Sequence, residues 1–234
     1  MPASLSVAVA QPACLPLDVE RNAGEHATLI RRAGARLVIF PELSLTGYHL
    51  DAPPLTLDDP ALAQLVEACA QTNAVALVGA PVTSGDVTCI GMLRIDASGA
   101  AIVSRKQWLS AAEQARFTPG DAPRLTEVDG WRIGLGICKD TGTRAHHEDM
   151  AALGIDLYAA GVLHHHHELD EQDARGRRIA RTCRSPVAFA SFAGRTGEGY
   201  DVAAGHSTIW EVNGRPVTRA GQRPGEVVST VLHR

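Results

Sequence analysis

Residues 36–40 (RLVIF) limit the possible folds more than any other segment of the chain. A short strand that is apolar at nearly every position is typical of a sheet covered on both faces. An alternating apolar strand over residues 5–9 precedes it, and between the two lies a helical pattern that begins at Asp18, the expected N-cap, and ends near Ala33. Strand, helix and strand in this order form a βαβ unit, which indicates an α/β protein.

The rest of the chain continues with alternating strand and helix patterns. A second helix is expected over 58–71 with Asp58 or Asp59 as its cap, and a long loop over 107–121. The remaining predicted elements are strands at 75–79, 87–96, 101–104, 125–128, 131–137, 155–158, 186–192, 205–211, 215–219 and 227–232, and helices at 143–154 and 168–183. The pattern predicts an α/β sandwich with sheet inside and helices outside. We expect one domain over residues 1–234, because no linker or repeat interrupts the chain.

Composition excludes several classes of function. The 234 residues carry a formal net charge of −4, which disfavours a nucleic-acid or anionic membrane surface. No apolar run approaches the length of a transmembrane helix, and the N-terminus lacks the basic region of a signal peptide. The five cysteines include no CxxC pair, which disfavours a zinc site or a disulfide framework. A reducing cytoplasm is the expected compartment.

Cys138 follows directly after a predicted strand, residues 131–137 (WRIGLGI). The strand alternates apolar residues with glycines, which permit close backbone approach. A strand end fixes the backbone of a nucleophile, and the loop that follows leaves room for substrate. A buried structural cysteine is the alternative interpretation, because cysteine is among the most commonly buried residue types.

Three charged residues also occupy positions suited to catalysis. Glu42 follows the apolar strand 36–40, where desolvation would raise its pKa, and Lys106 follows the strand 101–104. Glu113 lies in the long loop, and long loops in compact domains are often functional. Glu42 and Lys106 could equally be solvated surface residues. Glu42, Lys106 and Cys138 each follow a predicted inner strand, however, and ligand sites of open α/β sheets lie at that edge.

Four consecutive histidines, residues 164–167, suggest a metal site at first sight. Adjacent side chains point in different directions, and no acidic or cysteine ligand pattern accompanies them. We therefore expect no metal here, but a loop near the mouth of the site that titrates near neutral pH.

Several short segments carry a resemblance to a known family. They are residues 41–48 (PELSLTGY), 105–109 (RKQWL), 117–121 (FTPGD), 134–140 (GLGICKD), 205–209 (GHSTI) and 213–214 (NG). In this order they resemble the nitrilase superfamily, the carbon–nitrogen hydrolases, over nearly the whole chain.

The resemblance implies a four-layer α-β-β-α sandwich, a homodimer or higher homo-oligomer, and no cofactor. It also implies a catalytic triad with Glu42 as general base, Lys106 as stabiliser of the transition state and Cys138 as nucleophile. Glu113 matches, more loosely, an acidic residue that places the substrate in several amidases of the family. The backbone N–H of Lys139 would be a second donor to the oxyanion.

The expected substrate is a small linear amide, cleaved to a carboxylic acid and ammonia. An N-carbamoyl compound is the runner-up, since Lys139, Arg144 and the four histidines would favour a substrate with a carboxylate. A nitrile is the third possibility. A catalytically silent binding protein of the same fold is the alternative of another class, because Lys139, Trp108 and residues 141–144 (TGTR) and 191–194 (SFAG) depart from the family pattern.

Overall fold

A computed structural model describes residues 3–234 of the chain. Its strands are β1 (Ser4–Gln11), β2 (Leu37–Ile39), β3 (Val75–Ser84), β4 (Val87–Asp96), β5 (Gly99–Arg105), β6 (Arg124–Val128), β7 (Trp131–Ile137), β8 (Leu157–Val162), β9 (Val187–Ser191), β10 (Ala193–Gly194), β11 (Ala203–Ala204), β12 (Thr208–Trp210), β13 (Pro216–Arg219) and β14 (Glu226–His233). The helices are α1 (Val19–Ala33), α2 (Leu62–Thr72), α3 (Ala111–Gln114), α4 (Arg144–Ala152) and α5 (Leu169–Cys183). Short 3₁₀ turns cover Ser44–Thr46, Cys138–Gly142 and His166–Glu168.

Two mixed six-stranded sheets form the centre of the protein. The first has the order β14-β1-β2-β3-β4-β5, with β1, β2 and β3 parallel to one another. The second has the order β13-β12-β9-β8-β7-β6, with β7, β8 and β9 parallel. In each sheet the parallel strands are the central ones, which explains why their sequences are apolar on both faces.

The apolar core is divided into layers by the two sheets. One cluster joins side chains of both sheets, such as Leu37 of β2 and Ile133 of β7, and fills the space between them. Leu29 of α1 belongs to a cluster on the outer face of the first sheet, and Ile179 of α5 to a cluster on the second. The predicted α-β-β-α arrangement is therefore confirmed.

Several details of the prediction were wrong. Helix α2 begins after Ala61, not at an aspartate cap, because the carboxylate of Asp59 accepts the N–H of Ala61 in a turn before the helix. The predicted loop 107–121 contains α3, which Ser110 caps. Strand β5, which precedes Lys106, lies at the edge of its sheet and is not an inner strand. The short pair β10 and β11 was not predicted.

Among residues 3–234, no helix has both the length and the apolar character needed to cross a membrane.

Candidate functional site

Glu42 lies between the two sheets, just beyond the end of β2. Its backbone packs against glycines of both sheets: a Cβ on Gly79 would lie 2.4 Å from the backbone N of Leu43, and one on Gly161 would lie 2.7 Å from that of Glu42. These glycines let the chain carry a carboxylate into the interior, where Glu42 is only 1% exposed.

The ammonium of Lys106 joins two buried carboxylates. Its Nζ lies 2.7 Å from Oε1 of Glu42 and 2.6 Å from Oε1 of Glu113. All three side chains are almost completely removed from solvent. Two carboxylates share one ammonium, so the cluster bears a net negative charge whenever both are ionised.

This charge imbalance acts on the pKa values of the cluster. Burial, reinforced by the negative charge of Glu113, raises the pKa of Glu42 to about 7, although Lys106 opposes the shift. Burial alone would lower the pKa of Lys106, but the negative charges of Glu42 and Glu113 raise it. Lys106 is therefore a permanent cation, and Glu42 is the member able to exchange a proton near neutral pH.

Glu113 is held from both sides of its carboxylate. It occupies the N3 position of α3, where its Oε2 accepts the backbone N–H of Ser110 at 2.7 Å while the hydroxyl of Ser110 accepts the N–H of Glu113. The hydroxyl of Tyr48 approaches Oε1 at 3.4 Å. The helix cap thus orients the oxygen that Lys106 contacts.

Cys138 begins a 3₁₀ turn at the end of β7. Its φ of +41° lies in the left-handed region, which is uncommon for a residue with a side chain and often marks a functional turn. The thiol contacts the carbonyl oxygen of Leu163 with an Sγ–O distance of 3.5 Å. Burial and the charge of Glu42 raise the pKa of Cys138 to about 12, so the resting group is a neutral thiol that needs a base.

Asp140 connects the segment after Lys106 with the strand before Cys138. Its Oδ1 accepts the backbone N–H groups of Gln107 and Trp108, at 3.2 Å and 3.0 Å, and its Oδ2 accepts that of Ile137 at 3.0 Å. The carboxylate is buried. Asp140 was not among the site residues predicted from the sequence.

The structure separates the other charged candidates. Lys139 lies beside the site, with its Nζ donating to the carbonyl of Leu109 at 2.7 Å. Arg144 instead extends into solvent on α4 and pairs with Glu148. The expectation that Arg144 helps to bind substrate was therefore wrong.

The four histidines do not act as a unit. His164 is buried and lines the site, whereas His166 and His167 are exposed. The ring of His165 stacks on Tyr200 with 4.1 Å between centroids. The predicted position near the mouth of the site thus applies to part of the run, and the expected titration near neutral pH is wrong for His164, because burial lowers its pKa to about 4.

A cavity of about 210 Å³ lies beside Lys106 and Cys138. It is lined by Tyr48, Lys106, Ser110, Glu113, Cys138, Lys139, Leu163, His164, Glu168, Arg175 and Tyr200. Larger depressions exist, such as one of about 510 Å³ beside β13 and β14, but its lining contains no cysteine. The size of the cavity at Cys138 suits a small molecule.

Several lining residues of the cavity were not predicted from the sequence. Arg175 lies on α5, a helix with four arginines, and no local pattern distinguishes it from the others. Leu163 and Tyr200 come from loops whose approach to Cys138 depends on the tertiary fold. Tyr48 was also missed, although it belongs to the segment 41–48 that resembles the family, and this resemblance could have nominated it.

One cluster among residues 3–234 has side chains spaced for a metal ion. Ligand atoms of His49, Asp51 and Glu198 lie within 4.8 Å of one another, and both acidic residues are exposed. None of the three lines the cavity at Cys138.

Comparison with known proteins shows the family of this chain. The sequence profile of the family described as carbon-nitrogen hydrolase matches residues 6–233. The chain belongs to the carbon–nitrogen hydrolase family. The resemblance to the nitrilase superfamily is therefore confirmed.

Curated relatives of this carbon–nitrogen hydrolase include a protein named "Hydrolase in pqqF 5'region" from Pseudomonas protegens. It is 28% identical over 242 residues, covering 97% of this chain and 83% of that protein. An (R)-stereoselective amidase from a Pseudomonas species is 30% identical over 196 residues, covering 80% of this chain and 69% of the amidase.

Solved structures share the fold of this carbon–nitrogen hydrolase. The superfamily protein XC1258 from Xanthomonas campestris has a TM-score of 0.88 at 18% identity, over 98% of this chain and 90% of that one. An amidase from a Nesterenkonia species has a TM-score of 0.83 at 22% identity, over 100% of this chain and 92% of that one. A mutant of the Nesterenkonia amidase was solved in complex with acrylamide.

Proposed function

We propose that this carbon–nitrogen hydrolase is an amidase that cleaves a small linear amide to a carboxylic acid and ammonia through a thioester on Cys138. One observation carries the proposal: the ammonium of Lys106 is held between Glu42 and Glu113 in the cavity that contains the thiol of Cys138. The cluster thus supplies a nucleophile, a base and a fixed cation at one place.

The first half of the reaction forms the thioester. Glu42 removes the thiol proton while the sulfur bonds to the carbonyl carbon, and the carbonyl electrons move onto oxygen. Oε2 of Glu42 suits the transfer, because it is buried and has no hydrogen-bond partner within residues 3–234. Lys106 and the backbone N–H of Lys139 stabilise the oxyanion. When the oxyanion collapses, the C–N bond breaks and the proton on Glu42 passes to the leaving nitrogen.

The second half returns the enzyme to its resting state. Glu42, again a carboxylate, takes a proton from a water molecule as the water oxygen attacks the thioester carbon. Collapse of this second oxyanion breaks the C–S bond and releases the acid. The proton on Glu42 returns to the sulfur, which restores the neutral thiol of Cys138 and the carboxylate of Glu42.

Two relatives support amides as the substrate class. The Pseudomonas relative is named as an amidase, and a mutant of the Nesterenkonia amidase was solved in complex with acrylamide. Acrylamide is a small planar amide, and a cavity of about 210 Å³ holds a molecule of that kind.

A second candidate is an amide or N-carbamoyl compound that bears a carboxylate. Arg175 and Lys139 both line the cavity, and a guanidinium can bind a carboxylate through two parallel hydrogen bonds. Within residues 3–234, Nε is the one guanidinium nitrogen of Arg175 with a hydrogen-bond partner, Glu171 at 2.7 Å. This candidate predicts that Arg175→Gln lowers kcat/KM for a carboxylate-bearing amide and leaves its neutral methyl analogue unchanged.

The experiment that tests the proposed function is ammonia release from short amides, carbamoyl compounds and nitriles, with Cys138→Ala as the matched control. We expect release from amides by the native protein alone. If no compound releases ammonia and iodoacetamide also fails to modify Cys138, the protein is a binding protein with the hydrolase fold.

A further inference from the structure

His164 lies close to the nucleophile and has one ring nitrogen without a hydrogen-bond partner among the described residues. It follows Leu163, whose carbonyl contacts the thiol of Cys138, and it is one of the residues that line the same cavity. The residue is 4% exposed, and its Nε2 has no hydrogen-bond partner within the described part of the chain. A buried polar atom without a partner is costly, which points to a ligand that satisfies it.

The orientation of Gln172 determines which nitrogen of His164 bears the proton. The side-chain Nε2 of Gln172 lies 3.2 Å from the carbonyl oxygen of Gly205 and 3.3 Å from that of His206. A carbonyl oxygen can only accept, so the amide nitrogen must face these two groups and Oε1 must point the other way.

Oε1 of Gln172 lies 3.2 Å from Nδ1 of His164. Because Oε1 is an acceptor, Nδ1 carries the hydrogen. In a neutral imidazole the other nitrogen then bears a lone pair, and Nε2 can only accept a hydrogen bond.

A buried network keeps Gln172 in this orientation. Its Oε1 also accepts the hydroxyl of Ser191 at 2.9 Å, and the backbone N–H of Ser191 donates to the hydroxyl of Ser207. The side chain of Gln11 anchors Ser207 by accepting its backbone N–H. All four of these polar side chains are buried. Such a network fixes a single tautomer far better than one contact would.

The surroundings keep the imidazole neutral. Burial and the positive charge of Arg175 lower the pKa of His164 to about 4, although Glu168 and Glu171 act in the opposite direction. Near neutral pH the ring is therefore an acceptor at Nε2 and a donor only toward Gln172.

We propose that Nε2 of His164 accepts a hydrogen bond from an N–H group of the substrate and so makes the cavity selective for amides and carbamoyl compounds over nitriles. A nitrile has no N–H to donate and would leave Nε2 unpaired. The inference rests on the proposed function, because it names the substrate class of the same cavity.

The test compares acrylamide, which has two N–H donors, with acrylonitrile, which has none. Both ligands are titrated by NMR against the Cys138→Ala protein, so that binding is read without turnover or alkylation. The variants are His164→Asn, which places an N–H near the position of Nδ1 but has nothing in place of Nε2, and His164→Phe. His167→Asn, the same change at an exposed position, is the matched control.

We expect the Cys138→Ala protein and its His167→Asn variant to bind acrylamide equally. Both His164 variants should bind acrylamide about tenfold or more weakly. The affinity for acrylonitrile should be the same in all of these proteins. Equal loss for both ligands would show a structural role and overturn the proposal. Unchanged acrylamide affinity, or no binding of acrylamide to the Cys138→Ala protein, would overturn it as well. Failure of the amidase proposal would appear separately, as absence of ammonia release from the native protein.

Discussion

The carboxylate of Asp140 accepts the backbone N–H of Trp108 at 3.0 Å. Through its other oxygen it also accepts the N–H of Ile137, directly before Cys138. One buried carboxylate therefore links the segment that follows Lys106 to the strand that carries the thiol. We infer that Asp140 keeps the ammonium and the sulfur at a fixed separation.

Replacing Asp140 with Asn tests this positioning role. An amide NH₂ would face at least one backbone N–H, leaving a buried donor unpaired, at a cost of about 1–3 kcal/mol in the free energy of unfolding. We also expect kcat to fall more than KM changes. Urea unfolding and steady-state kinetics check the two effects. Asp149→Asn, an exposed change on α4, should alter neither, and a normal kcat for Asp140→Asn would refute the positioning role.

The raised pKa of Glu42 predicts the acidic limb of the pH profile. The general base must be ionised to accept the thiol proton, so activity is lost as the pH falls through the pKa of Glu42, about 7. The log of kcat/KM measured between pH 5 and 9 should bend near pH 7. A profile that stays flat down to pH 5, as a group with the ordinary glutamate pKa of about 4.3 would give, would show that burial does not raise this pKa.

Glu113→Gln should weaken catalysis by altering the environment of Lys106. The change removes one of the two negative charges that hold the ammonium, and we expect a loss of about a hundredfold in kcat/KM from misplacement of Nζ. Tyr48→Phe removes only the longer 3.4 Å contact to the same oxygen, and its effect should stay within about threefold. Equal effects of the two variants would contradict the importance of the ion pair.

Gly161→Ala should disturb Glu42 from the opposite sheet. The added Cβ would lie 2.6 Å from the carbonyl oxygen of Phe40 and 2.7 Å from the backbone N of Glu42, and backbone atoms cannot move aside. We expect a destabilisation of about 1–3 kcal/mol, measured by urea unfolding, together with reduced activity.

Gly24→Ala is the control for this substitution. Its Cβ would approach only the end of the Gln64 side chain, at 3.2 Å. In the middle of α1 the change should be neutral or stabilising by up to about 1 kcal/mol. A stability of Gly161→Ala equal to that of Gly24→Ala would refute the close packing at Glu42.

The layered fold could be predicted because its signals are local. An apolar strand such as residues 36–40, and the helix cap at Asp18, carry their structural meaning in adjacent residues. The start of α2 could not be predicted in the same way, because two aspartates offered caps and the chain used Asp59 in a preceding turn.

In the candidate site, too, the residues with local sequence signals could be predicted and those that depend on the tertiary fold could not. Glu42, Lys106 and Cys138 each follow a strand and lie in recognisable segments, so the sequence nominated them. The role of His164 depends on Gln172 and Ser191, which reach it only in the folded protein. Arg144 was nominated as a cation that would favour a carboxylate-bearing substrate, but on α4 its side chain is exposed and pairs with Glu148.

In the proposed mechanism, Cys138 carries the acyl group during turnover. Acid quenching of the protein during hydrolysis of a short amide, followed by mass spectrometry of its peptides, measures this directly. We predict the acyl mass on the peptide that contains Cys138, and its absence in Glu42→Gln. Ammonia release with no acyl group on Cys138, or with the group on another cysteine, would contradict this mechanism.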